Sequence, residues 1–302
     1  MIVDAHYHLD PSIETARQLI ARMDRSAVQI TCLIAALVQP IKISWFARFF
    51  GSIMTRSMLG PMPQIGRFFC ARMVTSDGHV RIVGRRYRVY RLPDNAAVER
   101  AVKAFPGRFL AWLTVNPVAN DPIQQLEQCK DQPGWIGVKT HPFLHRYSIC
   151  RLDAVAQWCQ ERSWPLLIHL GLARKDGDIT NLSARYPRLA IIYAHAGVPF
   201  FEKTWRLVRR YKHVWIDLSN PIYVDHLILR KAVHAVGPAR CIWGTDGPYD
   251  GLGYDHSLIA IERLGLSGGD SDRILGQNLM DIIQPTLGNR QCLQSSPLPY
   301  TR

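Results

Sequence analysis

The chain has 302 residues, with 37 Lys and Arg residues against 24 Asp and Glu residues and a formal net charge of +13. This length is sufficient for one large α/β domain, and no run reaches the roughly 18 consecutive apolar residues that a membrane-spanning helix requires. No base-stacking or groove-reading motif accompanies the positive charge, so nucleic-acid binding is not expected. Seven cysteines without a Cys-x-x-Cys pair, and the lack of a signal-peptide pattern, predict a cytoplasmic protein.

Apolar runs typical of β-strands follow one another along the chain. They end near His8, Ala35, Pro117, His141, Gly171, Gly197, Ser219 and Asp246. Most ends are about 24 to 28 residues apart, and helical patterns fill the gaps, for example at 152–162, 200–211 and 226–236. Strand and helix alternating eight times predict an α/β protein with a (β/α)8 TIM barrel, whose chemistry occurs at the carboxyl ends of the strands. We expect a single barrel domain over residues 1–284 and a tail over 285–302.

The first strand ends in a His-x-His pair, His6 and His8. Side chains two residues apart leave the same face of a strand, so both imidazoles can bind one metal ion. Three later strands also end in a polar residue beside Gly or Pro, namely His169, His195 and Asp246. Because the carboxyl ends of barrel strands meet at one mouth, the sequence predicts that these side chains share a site.

The step from the second to the third strand is about 55 residues too long. The excess, residues 41–92, contains ten basic residues and one acidic residue, a net charge of +9. Apolar residues interleave with these charges at helical spacing. They are Trp45, Phe46, Phe49, Phe50, Ile53, Met54, Phe68, Phe69 and Met73. We expect an insertion whose helices cover the barrel mouth or pack on a second subunit. A lid that attracts an anionic substrate and peripheral contact with an anionic membrane are the alternatives.

Six short motifs support a resemblance to a known family. They are His6-x-His8, His169-x-Gly171, His195-Ala196-Gly197, Gly244-Thr245-Asp246-x-Pro248, the run from Gly137 to Pro142 and the run from Ile274 to Asn278. Together they resemble the amidohydrolase superfamily, specifically the amidohydrolase-related group that includes aminocarboxymuconate-semialdehyde decarboxylase. The resemblance extends from Met1 to about Ile283, apart from the insertion.

The resemblance implies one divalent metal ion, commonly Zn²⁺ with Mn²⁺ as the alternative, held by His6, His8, His169 and Asp246. It also implies that His195 is catalytic. Three imidazoles and one carboxylate suit Zn²⁺, which lowers the pKa of a water molecule toward about 7. We expect Asp246 to accept the proton of that water, and His195 to polarise a substrate carbonyl or stabilise its developing charge.

Lys139, on the fourth strand, leaves a second metal-site architecture open. In some amidohydrolases a lysine on this strand is carboxylated and bridges two metal ions. Otherwise Lys139 is expected to bind a substrate carboxylate or to be structural, and Arg174 is a second predicted anion contact. Asp217 and Ser219 on the seventh strand are expected to contact the ligands and orient them. Asp4 on the first strand either does the same or serves in a turn or a cap.

Two enzymatic functions and one other remain open at this point. The first is a metal-dependent hydrolase of a lactone, amide or ester in an anionic small molecule. The second is a nonoxidative decarboxylase of an aromatic or unsaturated acid, and the third is a metal-binding scaffold without catalysis. We favour hydrolysis because the same constellation serves many hydrolases and no residue can be assigned to decarboxylation. The family and the apolar insertion lead us to expect a homodimer.

Overall fold

The computed structural model describes residues 1–41, 43–119, 121–171, 179–249 and 251–288. Its strands are β1 (Val3–Leu9), β2 (Ile30–Ala35), β3 (His79–Ile82), β4 (Arg85–Arg88), β5 (Phe109–Thr114), β6 (Trp135–Thr140), β7 (Leu166–Ile168), β8 (Ile191–Tyr193), β9 (Val214–Asp217) and β10 (Cys241–Ile242). Eight of these strands form one sheet in the order β1-β2-β5-β6-β7-β8-β9-β10, and all seven neighbouring pairs are parallel. The predicted (β/α)8 barrel is confirmed.

Helices connect the strands and surround the barrel. They are α1 (Ala16–Arg25), α2 (Trp45–Ser57), α3 (Pro63–Ala71), α4 (Asn95–Ala104), α5 (Pro122–Cys129), α6 (Pro142–His145), α7 (Asp153–Arg162), α8 (Ile179–Arg185), α9 (Phe201–Arg210), α10 (His226–Val236), α11 (Gly253–Glu262), α12 (Gly268–Asp272) and α13 (Asn278–Gly288). The last helix extends past residue 284, where we predicted the domain to end. Within the described ranges no helix is long and apolar enough to cross a membrane.

Hydrogen bonds join the first strand to the segment that follows the last one. The Ala5 amide donates to the Trp243 carbonyl over 3.1 Å, and the Asp246 amide donates to the His6 carbonyl over 2.7 Å. The His8 amide donates to the Gly247 carbonyl over 2.8 Å. These bonds place the His-x-His pair directly beside Asp246, although about 240 residues separate them in the chain.

The strands contribute to two hydrophobic clusters. The larger one joins strand residues such as Leu33 and Phe109 to helix residues such as Leu19, and it holds the helical layer on the barrel. The smaller one joins residues of different strands, including Ile34 and Trp112, to one another and to α13. Because alternate strand residues point to opposite faces, this division matches the outside and the inside of a barrel.

The insertion folds into two parts. Its first part forms helices α2 and α3, as the apolar spacing predicts, but its second part forms an antiparallel hairpin of β3 and β4 that we did not predict. Val83 and Gly84 at the tip both have positive φ, 46° and 75°. Two positive φ angles are typical of a two-residue hairpin turn, and the glycine adopts its angle without steric cost.

Helices α2 and α3 pack on the loops that follow β8 and β9. The Ser52 hydroxyl donates to Asp225 Oδ2 over 2.8 Å, and Arg56 forms an ion pair with the same carboxylate. Arg67 Nε donates to the Pro199 carbonyl over 3.0 Å. These loops follow the carboxyl ends of their strands, so the insertion lies at the mouth of the barrel.

Candidate metal centre

Asp4 holds the first strand and the segment after β10 together just behind the site. Its Oδ1 accepts hydrogen bonds from the amides of His6 and Thr245, each over 3.0 Å, and its Oδ2 accepts one from the Thr245 hydroxyl over 2.7 Å. Burial raises the pKa of Asp4 to about 7, although these donors oppose the shift. Asp246, the residue after Thr245, has a left-handed backbone conformation with a φ of 61°. A non-glycine residue in this region costs about 1–3 kcal/mol, and such residues cluster at functional sites.

The hydrogen bonds of the two β1 histidines fix which nitrogen of each faces the mouth. His6 Nδ1 lies 2.5 Å from Asp217 Oδ2, and His8 Nδ1 lies 3.2 Å from the Ala35 carbonyl oxygen. Both partners are acceptors, so the Nδ1 atoms carry the protons and each Nε2 is left with a lone pair. These two lone pairs point to Asp246 Oδ1, at 3.0 Å from His6 and 3.2 Å from His8.

Three acceptor atoms therefore meet at one point. The ligand atoms of His6, His8 and Asp246 lie within 4.8 Å of one another, and Asp246 Oδ1 is buried with no hydrogen-bond donor among the described residues. Facing lone pairs repel unless a proton or a metal ion lies between them. Two imidazoles and a carboxylate are the donor set of a catalytic zinc site, so the residues present fit a divalent ion.

Burial and neighbouring charges determine the pKa values of these three side chains. Burial and Lys139 both lower the pKa of His6, but the carboxylates of Asp217 and Asp246 outweigh them and raise it above the ordinary 6.5. Burial lowers the pKa of His8. Burial opposes ionisation of Asp246, yet His195 and His6 hold the pKa of its carboxyl well below 3.8. Without metal, a proton on His6 supplies the positive charge that the three acceptors require.

The apparent affinity for Zn²⁺ is expected to fall with decreasing pH. A metal ion bound by His6 would displace its proton, so competition would begin as pH falls through a pKa that lies above that of an ordinary histidine. Below that pKa we expect the Zn²⁺ Kd to rise about ten-fold for each pH unit, measured by chelator competition from about pH 8 to about pH 6. Asp217→Asn removes one carboxylate that raises the His6 pKa and should move the onset to lower pH. A Kd that is constant over this range would exclude His6 as a ligand.

His195 lies next to this trio. Ser219 Oγ lies 2.9 Å from His195 Nδ1 and 3.2 Å from His6 Nδ1, so one hydroxyl links the two rings. His195 Nε2 lies 3.9 Å from Asp246 Oδ2, and burial lowers the pKa of His195 to about 4. The ring is thus neutral at pH 7. The supporting positions expected for Asp4, Asp217 and Ser219 agree with these contacts.

Of the other predicted site residues, Lys139 contacts the trio, His169 lies beside His195, and Arg174 lies outside the described residues. The His169 ring stacks on His141 at 3.9 Å between centroids and meets His195 at 4.7 Å, but His169 is not among the ligand atoms that lie within 4.8 Å of one another. Lys139 is fully buried, and its Nζ lies 3.3 Å from His6 Nε2. Burial lowers the pKa of Lys139 to about 8.

Three further residues of the mouth were not predicted. Asn220 Nδ2 donates to Asp246 Oδ2 over 2.7 Å. The Tyr223 ring lies 5.3 Å from the His195 ring, and the Tyr249 ring lies 5.6 Å from the His8 ring. All three lie just past the end of a strand and close to a proline. Their position after a strand end was the signal in the sequence that could have identified them, because such loops carry functional side chains in this fold.

A parallel (β/α)8 barrel with imidazoles of the first strand and a carboxylate after the last at its mouth is the architecture of metal-dependent barrel enzymes. Residues 62–278 match the model of the Amidohydrolase family, which is most of the chain, and the protein belongs to that family. The suspected resemblance is therefore confirmed, and the protein is an enzyme of the amidohydrolase superfamily. The His-x-His strand precedes the matched residues, so its place in the site rests on geometry.

One curated relative is similar to this chain in sequence, and two solved structures are similar to it in fold. The chain is 31% identical to 4-sulfomuconolactone hydrolase from Hydrogenophaga intermedia over 183 residues, which are 53% of this chain and 57% of that protein. It thus spans little more than half the length of this relative.

The two solved structures share the fold. A probable 2-pyrone-4,6-dicarboxylic acid hydrolase from Acinetobacter baumannii, with citric acid bound, is 17% identical with a TM-score of 0.61, over 94% of this chain and 99% of that one. A dihydroxybenzoic acid decarboxylase from a Polaromonas species, with bound manganese and an inhibitor, is 15% identical with a TM-score of 0.61, over 97% and 99%.

Proposed function

We propose that the protein is a metal-dependent hydrolase that cleaves a lactone, amide or ester bond in an anionic small molecule. The observation that carries this proposal is the meeting of three lone-pair atoms, from His6, His8 and Asp246, at the barrel mouth. The similarity to 4-sulfomuconolactone hydrolase favours a lactone among these substrates.

In this proposal His6, His8 and Asp246 hold one divalent ion, Zn²⁺ or Mn²⁺, with His169 as the fourth ligand. The chemistry that such an ion supplies is a nucleophilic water at neutral pH and polarisation of a carbonyl group. The protein's own contribution is to orient the two imidazoles so that each Nε2 faces the mouth, through Asp217 behind His6 and the Ala35 carbonyl behind His8.

Asp246 transfers the proton, and His195 stabilises the negative charge that develops on the substrate. Asp246 remains ionised because its pKa is low, and Asn220 holds its Oδ2, so the carboxylate accepts a proton from the attacking water and returns it to the leaving oxygen. His195 Nδ1 lies 2.9 Å from the Ser219 hydroxyl oxygen and 3.3 Å from the Ser219 carbonyl oxygen. We propose that in the active form the hydroxyl donates to Nδ1, so that the proton is on Nε2. That N–H donates to the substrate carbonyl oxygen as negative charge develops on it.

Cationic side chains are proposed to select an anionic substrate. Lys139 is fully buried beside the trio and has a pKa of about 8, so it is mostly charged at neutral pH. We propose that its ammonium contacts a carboxylate or sulfonate group of the substrate. Arg174 remains a predicted second contact.

Decarboxylation of an aromatic acid is the second candidate. The rings of Tyr223 and Tyr249 line the same mouth as His195 and His8, where they can pack against an aromatic substrate. The fold likeness to dihydroxybenzoic acid decarboxylase is as high as the likeness to the pyrone hydrolase.

The test is an assay of the metal-loaded protein against lactones, esters, amides and hydroxybenzoates. Acid release without CO₂ supports hydrolysis, whereas CO₂ release supports decarboxylation. If hydrolysis occurs, His195→Ala is expected to lower kcat by about 10²–10³-fold, because one donor to the developing oxyanion is lost. Its metal content should be unchanged. His226→Ala, which changes an exposed histidine of α10, is the control and should leave kcat unchanged. A parallel loss of metal in His195→Ala would make His195 a ligand instead.

A further inference from the structure

The helical pair α2 and α3 exposes an unusual amount of large apolar surface. Of the fourteen large hydrophobic side chains that are exposed within the described residues, nine lie between residues 45 and 69. They are Trp45, Phe46, Phe49, Phe50 and Ile53 around α2, and Met62, Ile65, Phe68 and Phe69 around α3. Trp45 is 70% exposed and the others are each about half exposed. The spacing on α2 repeats after four residues, so these side chains form one continuous face.

The described part of the chain packs on the inner faces of this pair and leaves the outer faces exposed. Between the helices, Cys70 Sγ lies 3.3 Å from Met54 Sδ. Against the barrel, a Cβ at Gly51 would come within 2.5 Å of Ile222, so α2 packs closely on the loop after β9. The helices are therefore fixed in place, and the exposed rings cannot turn inward without unpacking them.

Exposed positive charge lies in the same insertion. The β3–β4 hairpin and the residue run after it carry five exposed arginines, Arg81, Arg85, Arg86, Arg88 and Arg91. The insertion has a net charge of +9 out of +13 for the whole chain. An apolar aromatic face combined with clustered arginines in one segment is the composition of an element that lies in the interface of an anionic bilayer.

We propose that residues 45–91 of the insertion dock the protein on the surface of an anionic lipid bilayer. The aromatic side chains of α2 and α3 enter the headgroup region, and the arginines of the hairpin contact anionic lipids. Contact is peripheral, because no helix among the described residues is long and apolar enough to span a bilayer.

Charge favours a bilayer over a second copy of this chain. In a two-fold symmetric dimer the same patch lies on both sides of the interface. A dimer through these helices would therefore bring two segments of net charge +9 together, whereas anionic lipids neutralise that charge.

The test is flotation of the untagged protein with vesicles of neutral phosphatidylcholine, alone or with about 30 mol% phosphatidylglycerol. We expect at least about ten-fold more bound protein on the anionic vesicles at about 0.1 M salt, and loss of most of it at about 0.5 M, because salt screens surface charge. Trp45→Ser with Phe49→Ser should lower binding by at least about ten-fold. Ile259→Ser, an exposed apolar residue of α11, is the control and should bind like the wild type.

A second variant keeps the test decisive if the apolar one fails to fold. Arg85→Gln with Arg88→Gln changes only exposed hairpin charges and should lower anionic-vesicle binding by at least about five-fold, since each arginine near the surface contributes about 1 kcal/mol. No binding, or equal binding to neutral vesicles, would overturn the proposal. So would sedimentation equilibrium that shows a wild-type dimer and a monomeric Trp45→Ser, Phe49→Ser variant, because a second copy would then cover this face.

Discussion

Replacing His6 and His8 together with alanine is expected to remove the bound divalent metal and to lower kcat/KM by at least about 10³-fold. The variant lacks two of the three atoms that meet at the mouth. A divalent ion supplies several kcal/mol of transition-state stabilisation, and each 1.4 kcal/mol corresponds to a factor of ten in rate. Elemental analysis should give one equivalent of metal in the wild type and almost none in the variant.

The control for this experiment is the double variant His226→Ala and His256→Ala, which changes two exposed histidines of α10 and α11. It should keep both metal and activity, and circular dichroism should show an intact barrel in both variants. One equivalent of metal in the His6 and His8 variant would show that the ion binds elsewhere. Two equivalents in the wild type would make Lys139 a bridging residue.

Asp246→Asn is expected to lower kcat by about 10²–10⁴-fold even at saturating metal. The amide has nearly the same shape as the carboxylate but cannot accept and return the proton of water. Because the pKa of Asp246 lies well below 3.8, the wild type keeps this base ionised throughout the accessible range. The deficit of the variant should therefore be the same at every pH from about 5 to 9. Steady-state rates of both proteins across this range are the measurement.

Asn220→Ala provides the matched comparison. It removes the hydrogen bond to Asp246 Oδ2 but leaves the carboxylate. We expect a smaller loss of about ten-fold, which is typical of a residue that orients a ligand from behind. If the Asp246→Asn variant reaches the wild-type kcat once enough metal is added, Asp246 acts only as a metal ligand. Another group must then accept the proton.

The barrel could be predicted because its signals are local. Each strand is an apolar run that ends at a polar residue, and the regular spacing of these ends determines the connectivity. His6, His8 and Asp246 were predicted together for the same reason, since the fold brings strand ends to one mouth. Their metal binding remains a prediction.

The features that could not be predicted depend on contacts between distant residues. The hairpin at His79–Arg88 carries arginines on both of its faces. Its sequence therefore lacks the alternation of apolar and polar residues that predicts a half-buried strand. The position of Asn220 beside Asp246 depends on the loop after β9, and its left-handed φ of 66° is not encoded by spacing.

The hydrogen bonds between β1 and the segment after β10 have a consequence for biosynthesis. A ribosome that adds about 5–20 residues per second completes Asp246 roughly 12 to 48 s after His8. Throughout that interval the nascent chain lacks the carboxylate of the trio, so no amino-terminal fragment can assemble it. Under the proposed function, acquisition of the ion would therefore be a late event in maturation, and metal occupancy in the cell would report the fraction of chains whose barrel has closed.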